Sequence, residues 1–191
     1  MKLINIINSY NEADESPRFY LKADTALLRN NDAFYIPDNM GRIVAEPSIV
    51  LRVARLAKCI GERFAPRCID GVMGGVAFTA IDCLDEARRE GMPWDRAVGF
   101  DHSSALSLDT LSRDAMLEGA TLYINNEERL RLSVNKMRFT TDQIISHLSE
   151  AMTLRIGDLI YLGSPEQVEV KAGDNFRLTI GEHTLLNFDI K

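Results

Sequence analysis

Residues 152–165 read Met-Thr-Leu-Arg-Ile-Gly-Asp-Leu-Ile-Tyr-Leu-Gly-Ser-Pro. Gly157-Asp158 is a turn signal, and the apolar run Leu159 to Leu162 behind it is closed by Gly163 and Pro165, so the segment predicts a short strand between two tight turns. Gly173-Asp174 repeats the signal ahead of Phe176 to Ile180, and Leu185 to Ile190 supplies a further strand. Working back, Thr140 or Thr141 caps a helix on which Ile144, Ile145, Leu148 and Met152 recur at helical spacing, and Gln143 completes a capping box if Thr140 is the cap. Leu122 to Asn125 and Arg129 to Val134 flank Asn126-Glu127-Glu128 as a hairpin. Lys2 to Asn8, Arg18 to Lys22, Ser48 to Leu56 and Gly71 to Phe78 read as strands, Gly61 to Ala65 as one helical turn closed by Pro66, and Asp82 to Glu90 as a helix capped by Gly91. The fold class is α+β, dominated by strands, in a single domain over residues 1–191.

Composition narrows the function classes. Hydrophobic residues make up 46% of the 191 and charged residues 26%, which suffices for a sizeable core and excludes wholesale disorder. Twenty-two Lys plus Arg against 28 Asp plus Glu give a net charge of −6 with no basic stripe, so neither nucleic acid nor an anionic membrane is an expected partner. The longest uncharged apolar stretch, Gly71 to Ile81, is far short of the roughly 18 residues that span a bilayer. The polar Asn8-Ser9-Tyr10-Asn11-Glu12 follows too soon after Leu3 to Ile7 for a signal peptide. Cys59, Cys68 and Cys83 form no C-x-x-C pair, which predicts neither a disulfide framework nor a zinc knuckle and fits the cytoplasm.

Few residues carry chemistry on spacing alone. Gly71-Val72-Met73-Gly74-Gly75 matches no phosphate-binding pattern and reads as a place where a neighbouring backbone approaches closely or a strand bends. Asp101-His102-Ser103-Ser104 sets a carboxylate, an imidazole and hydroxyls side by side, but sequence neighbours point apart, so a loop lining is the reading. His147 on the capped helix and His183 in a hairpin turn have no partners at metal-ligand spacing. Glu46 stands between Ile43-Val44-Ala45 and Ile49-Val50; on a strand entering the core its carboxylate needs a cation, a proton or hydrogen bonds, and at an edge it needs only water.

Longer motifs add a resemblance. Leu51 to Ile60, Phe78-Thr-Ala-Ile-Asp82, Gly91-Met-Pro-Trp94 with Phe100, Met152 to Ile160, Leu162-Gly-Ser-Pro165 and Gly173-Asp174 resemble, in order, segments of the fumarylacetoacetate hydrolase family. Phe19-Tyr-Leu-Lys22 and Phe34-Tyr-Ile-Pro37 resemble its "F-x-K-P" entry and the strand after it. The match is closest to the small single-domain branch of acylpyruvases, oxaloacetate decarboxylases and diene-dioate isomerases. The resemblance implies a mixed β-roll, a homodimer, and one Mg²⁺ or Mn²⁺ on three carboxylates that polarises a 2-oxo acid.

The chain departs from that pattern where the chemistry lies. The family's E-x-E pair is Glu46-Pro47-Ser48, which keeps one metal ligand and replaces the second by a hydroxyl. "D-[FWM]-[ST]-A-R-D" is Ala77-Phe78-Thr79-Ala80-Ile81-Asp82, without ligand or arginine, and "A-K-[AS]-F" is Ala97-Val98-Gly99-Phe100, without the lysine. The lid between Tyr10 and Lys22, in the shortened region 1–40, is several residues short and carries Ala13 at its His position. "T-G-T-P-x-G-V-G" is Leu162 to Glu169, which loses the first threonine and two glycines.

These departures lead to the expectation of a binding or partner subunit that lacks the family's metal-dependent C–C bond chemistry and carries no cofactor. The alternative is an active hydrolase, isomerase or decarboxylase of an acylpyruvate-like 2-oxo acid with a rewired site, with Mg²⁺ or Mn²⁺ if the metal is retained. For that alternative the candidate residues are Glu46 with Lys22, Asp101, His102, Ser103 and Ser164, with Asp101 a candidate replacement metal ligand.

Overall fold

The structure is a computed structural model describing all 191 residues. In chain order its strands and α-helices are β1 (Leu3–Ile6), β2 (Phe19–Lys22), β3 (Leu27–Leu28), β4 (Ile43–Val53), β5 (Ile69–Ala80), α1 (Ile81–Glu90), α2 (Asp95–Val98), β6 (Ser104–Leu106), β7 (Ala120–Ile124), β8 (Glu127–Leu132), α3 (Thr141–Ala151), β9 (Leu159–Tyr161), β10 (Val168–Glu169), β11 (Asn175–Ile180) and β12 (His183–Asp189). One mixed sheet runs β2-β1-β9-β4-β5-β6-β3, with β10 added to β4; the other is the antiparallel β12-β11-β7-β8. This is the strand-dominated α+β architecture that the turn signals predict.

The long strands β4 and β5 pair antiparallel from Ile43↔Ala80 through Arg52↔Gly71 and form the spine. Alternation sends Ile43, Ala45, Ile49 and Leu51 to one face, where they pack against Leu122, Phe176, Leu178, Leu186 and Phe188 of the second sheet. Phe78 is fully buried here, stacked on Phe34 at 3.8 Å between centroids and edge-on to Phe188 at 6.3 Å. The other face holds a smaller apolar cluster that includes Leu3, Leu27, Val50, Met73, Leu106 and Tyr161. Burial on both faces explains why β4 and β5 read as apolar runs and not as clean alternation.

Several boundaries differ from expectation. Strand β4 starts at Ile43, not Ser48, and ends at Val53, so that Leu56 is exposed. Pro47 hides this start: it lies between the stretch paired to β10 (Val44 and Ala45) and the stretch paired to β9 (from Val50), where that edge demands no donor of it. The β7–β8 turn is Asn125-Asn126, both at positive φ (53° and 68°), while Glu127 and Glu128 already lie in the strand; asparagine tolerates the left-handed region that a two-residue hairpin turn requires. The turn after Gly61 is a 3-10 helix, Glu62–Cys68, with Pro66 inside it, and His183 opens β12 instead of sitting in the turn.

The capped helix behaves as read, whereas at Gly74 and Gly75 it is side chains and not a neighbouring backbone that approach. Thr140 Oγ1 accepts from Gln143 N–H and Gln143 Oε1 accepts from Thr140 N–H, a complete capping box. A Cβ on Gly75 would stand 2.5 Å from Val50 Cγ2 and 2.6 Å from Tyr161 Cε1, and one on Gly74 would meet Leu185 and Leu178, so the glycine run lets side chains close in on both faces of β5. No helix is long and apolar enough to cross a membrane.

Candidate functional site

Strand register alone brings the chemically interesting residues to one face. Glu46 pairs with Ala77 and Ser48 with Gly75, while Tyr20 pairs with Asn5 and Lys22 with Leu3. Asn5 in turn lies beside Tyr161, which pairs with Val50. Directly opposed residues share a face, so Tyr20, Lys22, Glu46, Ser48, Ala77 and Thr79 all project to the side away from the inter-sheet core.

Lys22 is wholly enclosed. Its Nζ donates to the carbonyls of Phe78 at 2.9 Å and Ser103 at 2.6 Å, tying β2 to β5 and to the residue before β6. Burial pushes the amine down to about 7, an effect the Glu46 carboxylate partly opposes. Ser103, also buried, donates its hydroxyl to Val98 O at 3.0 Å and so fixes the loop that carries the Lys22 acceptor.

Glu46 is half-buried and accepts from Gln167 Nε2 at 2.8 Å through Oε1, leaving Oε2 without a protein partner. Beside it opens a cavity of about 130 Å³ whose wall includes Tyr20, Thr79, Arg88, Trp94 and Gln167. That volume lies below the roughly 300 Å³ at which drug-sized pockets begin and suits only a small molecule. The Tyr20 hydroxyl is buried without a hydrogen-bond partner of normal geometry, although Thr79 lies close by. Desolvation, reinforced by Glu46, drives its pKa far above the usual phenol range, so it stays a proton donor. Arg88 lies over the Trp94 ring, 5.2 Å from its centroid. Between β1 and β2 the chain makes only turns and supplies no helix; α1 and α2 flank the cavity instead, through Leu84, Arg88 and Val98.

The ligand set that the resemblance implies does not fit a divalent metal here. Ser48 Oγ is engaged twice, donating to Ile49 O and accepting from Gly163 N–H, both at 3.0 Å. Ala77, opposite Glu46, offers a methyl group. One carboxylate is a poor match for an ion that takes six or more oxygens, and no group of three or more His, Cys, Asp or Glu stands together anywhere in the chain.

Of the sequence candidates, the structure gathers Lys22, Glu46 and Ser48 on one face and places Ser103 behind Lys22. It does not bring the others in. Asp101 and His102 are exposed on a turn; His102 has φ 61° and lines a separate hollow with Arg29, Tyr35 and Lys191. Asp101 is exposed on that turn and joins no group of three or more His, Cys, Asp or Glu with Glu46. Ser164 donates to Glu166 O at 2.7 Å and serves its own turn. Sequence reasoning missed Tyr20, Thr79, Arg88 and Gln167. Tyr20 was legible as the same-face neighbour of Lys22 two residues on, and Arg88 as seven residues past Ile81 on one helix face; nothing local marks Gln167, which meets Glu46 across 121 positions.

The family described as Fumarylacetoacetate (FAA) hydrolase C-terminal matches residues 4–190. An oxaloacetate tautomerase of Escherichia coli strain K12 is 25% identical over 176 residues, covering 90% of this chain and 80% of its own length. A fumarylpyruvate hydrolase of Ralstonia sp is 29% identical over 163 residues, covering 84% and 85%. The crystal structure of a fumarylacetoacetate hydrolase family protein from Yersinia pestis CO92 superposes with a TM-score of 0.91 at 25% identity, covering all of this chain and 93% of the other.

Proposed function

Because the chain belongs to the fumarylacetoacetate hydrolase family, we propose that it is an enzyme acting on a small enolisable 2-oxo acid, moving a proton between keto and enol forms at a rewired site centred on Glu46. The observation that carries this reading is the unpaired Glu46 Oε2 beside a cavity that also holds an unpaired buried phenol and a cation. Glu46 takes the proton from the carbon next to the keto group. Tyr20 donates a hydrogen bond to the carbonyl oxygen as charge develops there, and solvent water supplies the proton that completes the enol. Glu46 then returns its proton to water, so each turnover moves one proton from carbon to oxygen and needs no co-reactant beyond solvent. Lys22 donates to two backbone carbonyls and ties β2, which carries Tyr20, to β5, the strand paired with the one that carries Glu46.

The relatives support the active reading over that of a partner subunit, since those compared are named a tautomerase and a hydrolase of 2-oxo acids. The replaced carboxylates favour a second reading, a retired site that only binds such acids. Ultraviolet absorbance of oxaloacetate separates the two. Wild-type protein stripped with a chelator is expected to speed keto–enol equilibration, and Glu46→Gln to lose about 10²-fold or more of that acceleration. Absence of acceleration by the folded wild-type protein, with or without added Mg²⁺ or Mn²⁺, supports the retired site. Activity that vanishes on chelation and returns with one bound metal per chain overturns the rewired mechanism.

A further inference from the structure

The residues lining the cavity include a single cation, Arg88. Ile81, Leu84 and Arg88 fall at spacings of three and four on α1, hence on one face, and Leu84 is buried while the Arg88 side chain keeps 51% exposure at the rim. Arg42, Arg52 and Arg131 each donate two hydrogen bonds to one carboxylate at 2.7–3.0 Å. Arg88 makes none; its one ion-pair contact is a 3.7 Å approach to Asp85. Its guanidinium is placed by the Trp94 ring with its donor edge free.

An acid entering this cavity meets the negative Glu46, so its own carboxylate requires a cation. The positions where the resemblance implies an arginine and a lysine hold Ile81 and Val98, and Lys22 is committed to two carbonyls. Resting on the reading of the cavity as a 2-oxo-acid site, we infer that Arg88 is the specificity-determining residue that binds the ligand carboxylate. The planar fork takes both carboxylate oxygens. That leaves the keto oxygen for the Tyr20 hydroxyl, a buried donor that otherwise lacks a partner, and the adjoining carbon for Glu46.

Trp94 is the only tryptophan, so its fluorescence reports ligand at this cavity directly. Pyruvate and its uncharged methyl ester are titrated against wild type, Arg88→Gln and Arg88→Lys. Pyruvate affinity is expected to fall about tenfold or more in Arg88→Gln and by less in Arg88→Lys, while the ester binds all three alike. Unchanged pyruvate affinity in Arg88→Gln, an equal loss for acid and ester, or no pyruvate binding by wild type overturns the inference. Its fate separates from that of the proposed activity. Arg88-dependent pyruvate binding without oxaloacetate turnover keeps the residue's role and removes the enzyme, whereas turnover with unaltered KM in Arg88→Gln does the reverse.

Discussion

Lys22 shows how one buried charge couples stability to pH. Its amine titrates at about 7 in the folded protein and near 10.5 when exposed, so between those values the unfolded chain binds more protons. Stability therefore rises with pH across that window, by at most ~1.4 kcal/mol per pH unit. Urea titrations at successive pH values are expected to show this slope in wild type and to lose it in Lys22→Met. Cys68, Tyr10, Tyr20 and Tyr161, all pushed upward by burial, act in the opposite sense, the thiol from about 9 and the phenols from about 10, so the Lys22 slope is read between about pH 7 and 9. Ser48 is the other residue whose chemistry the fold has redirected: with its oxygen between Gly163 N–H and Ile49 O, Ser48→Ala strands a buried donor and is expected to cost about 1–3 kcal/mol by chemical denaturation.

At the scale of elements, helix ends were legible in the sequence because their determinants are local, whereas the hairpin turns at Asn125-Asn126 and before His183 fall a residue or two away from their expected positions. Thr140 and Gln143 satisfy each other across three residues, and Thr140→Ala is expected to lower stability by about 1 kcal/mol in a thermal melt. Gly91 caps α1 at φ 67° as its position past the last helix former predicts. Strand limits were less legible, because Pro47 is tolerated only thanks to the changeover from β10 to β9 beside it, a fact of pairing that no window around residue 47 contains. Gly75 belongs to the same class. Its role is set by Val50 and Tyr161 from two other strands, and Gly75→Ala is expected to destabilise by about 1–3 kcal/mol through overpacking, measured by urea denaturation.

The whole molecule is held by what lies between its two sheets, and Phe78 is the test of that statement. Removing its ring opens a void between Phe34 and Phe188, and Phe78→Ala is expected to cost about 3–5 kcal/mol in equilibrium unfolding. The site's scaffold was half visible beforehand: Glu46, Ser48 and Lys22 stand on their strands as the motifs imply, and register then decides that they share a face. The cavity itself was not visible, since Arg88, Trp94 and Gln167 reach it from a helix, a loop and a distant turn. The short β1–β2 connection, built only of turns, has a kinetic consequence. As this connection supplies no lid, the proposed mechanism has a proton taken up by Glu46 exchange with bulk water before it returns to carbon. Oxaloacetate recovered from a reaction in heavy water should then carry solvent deuterium at the carbon beside its keto group, enriched over the uncatalysed exchange, instead of the hydrogen it arrived with.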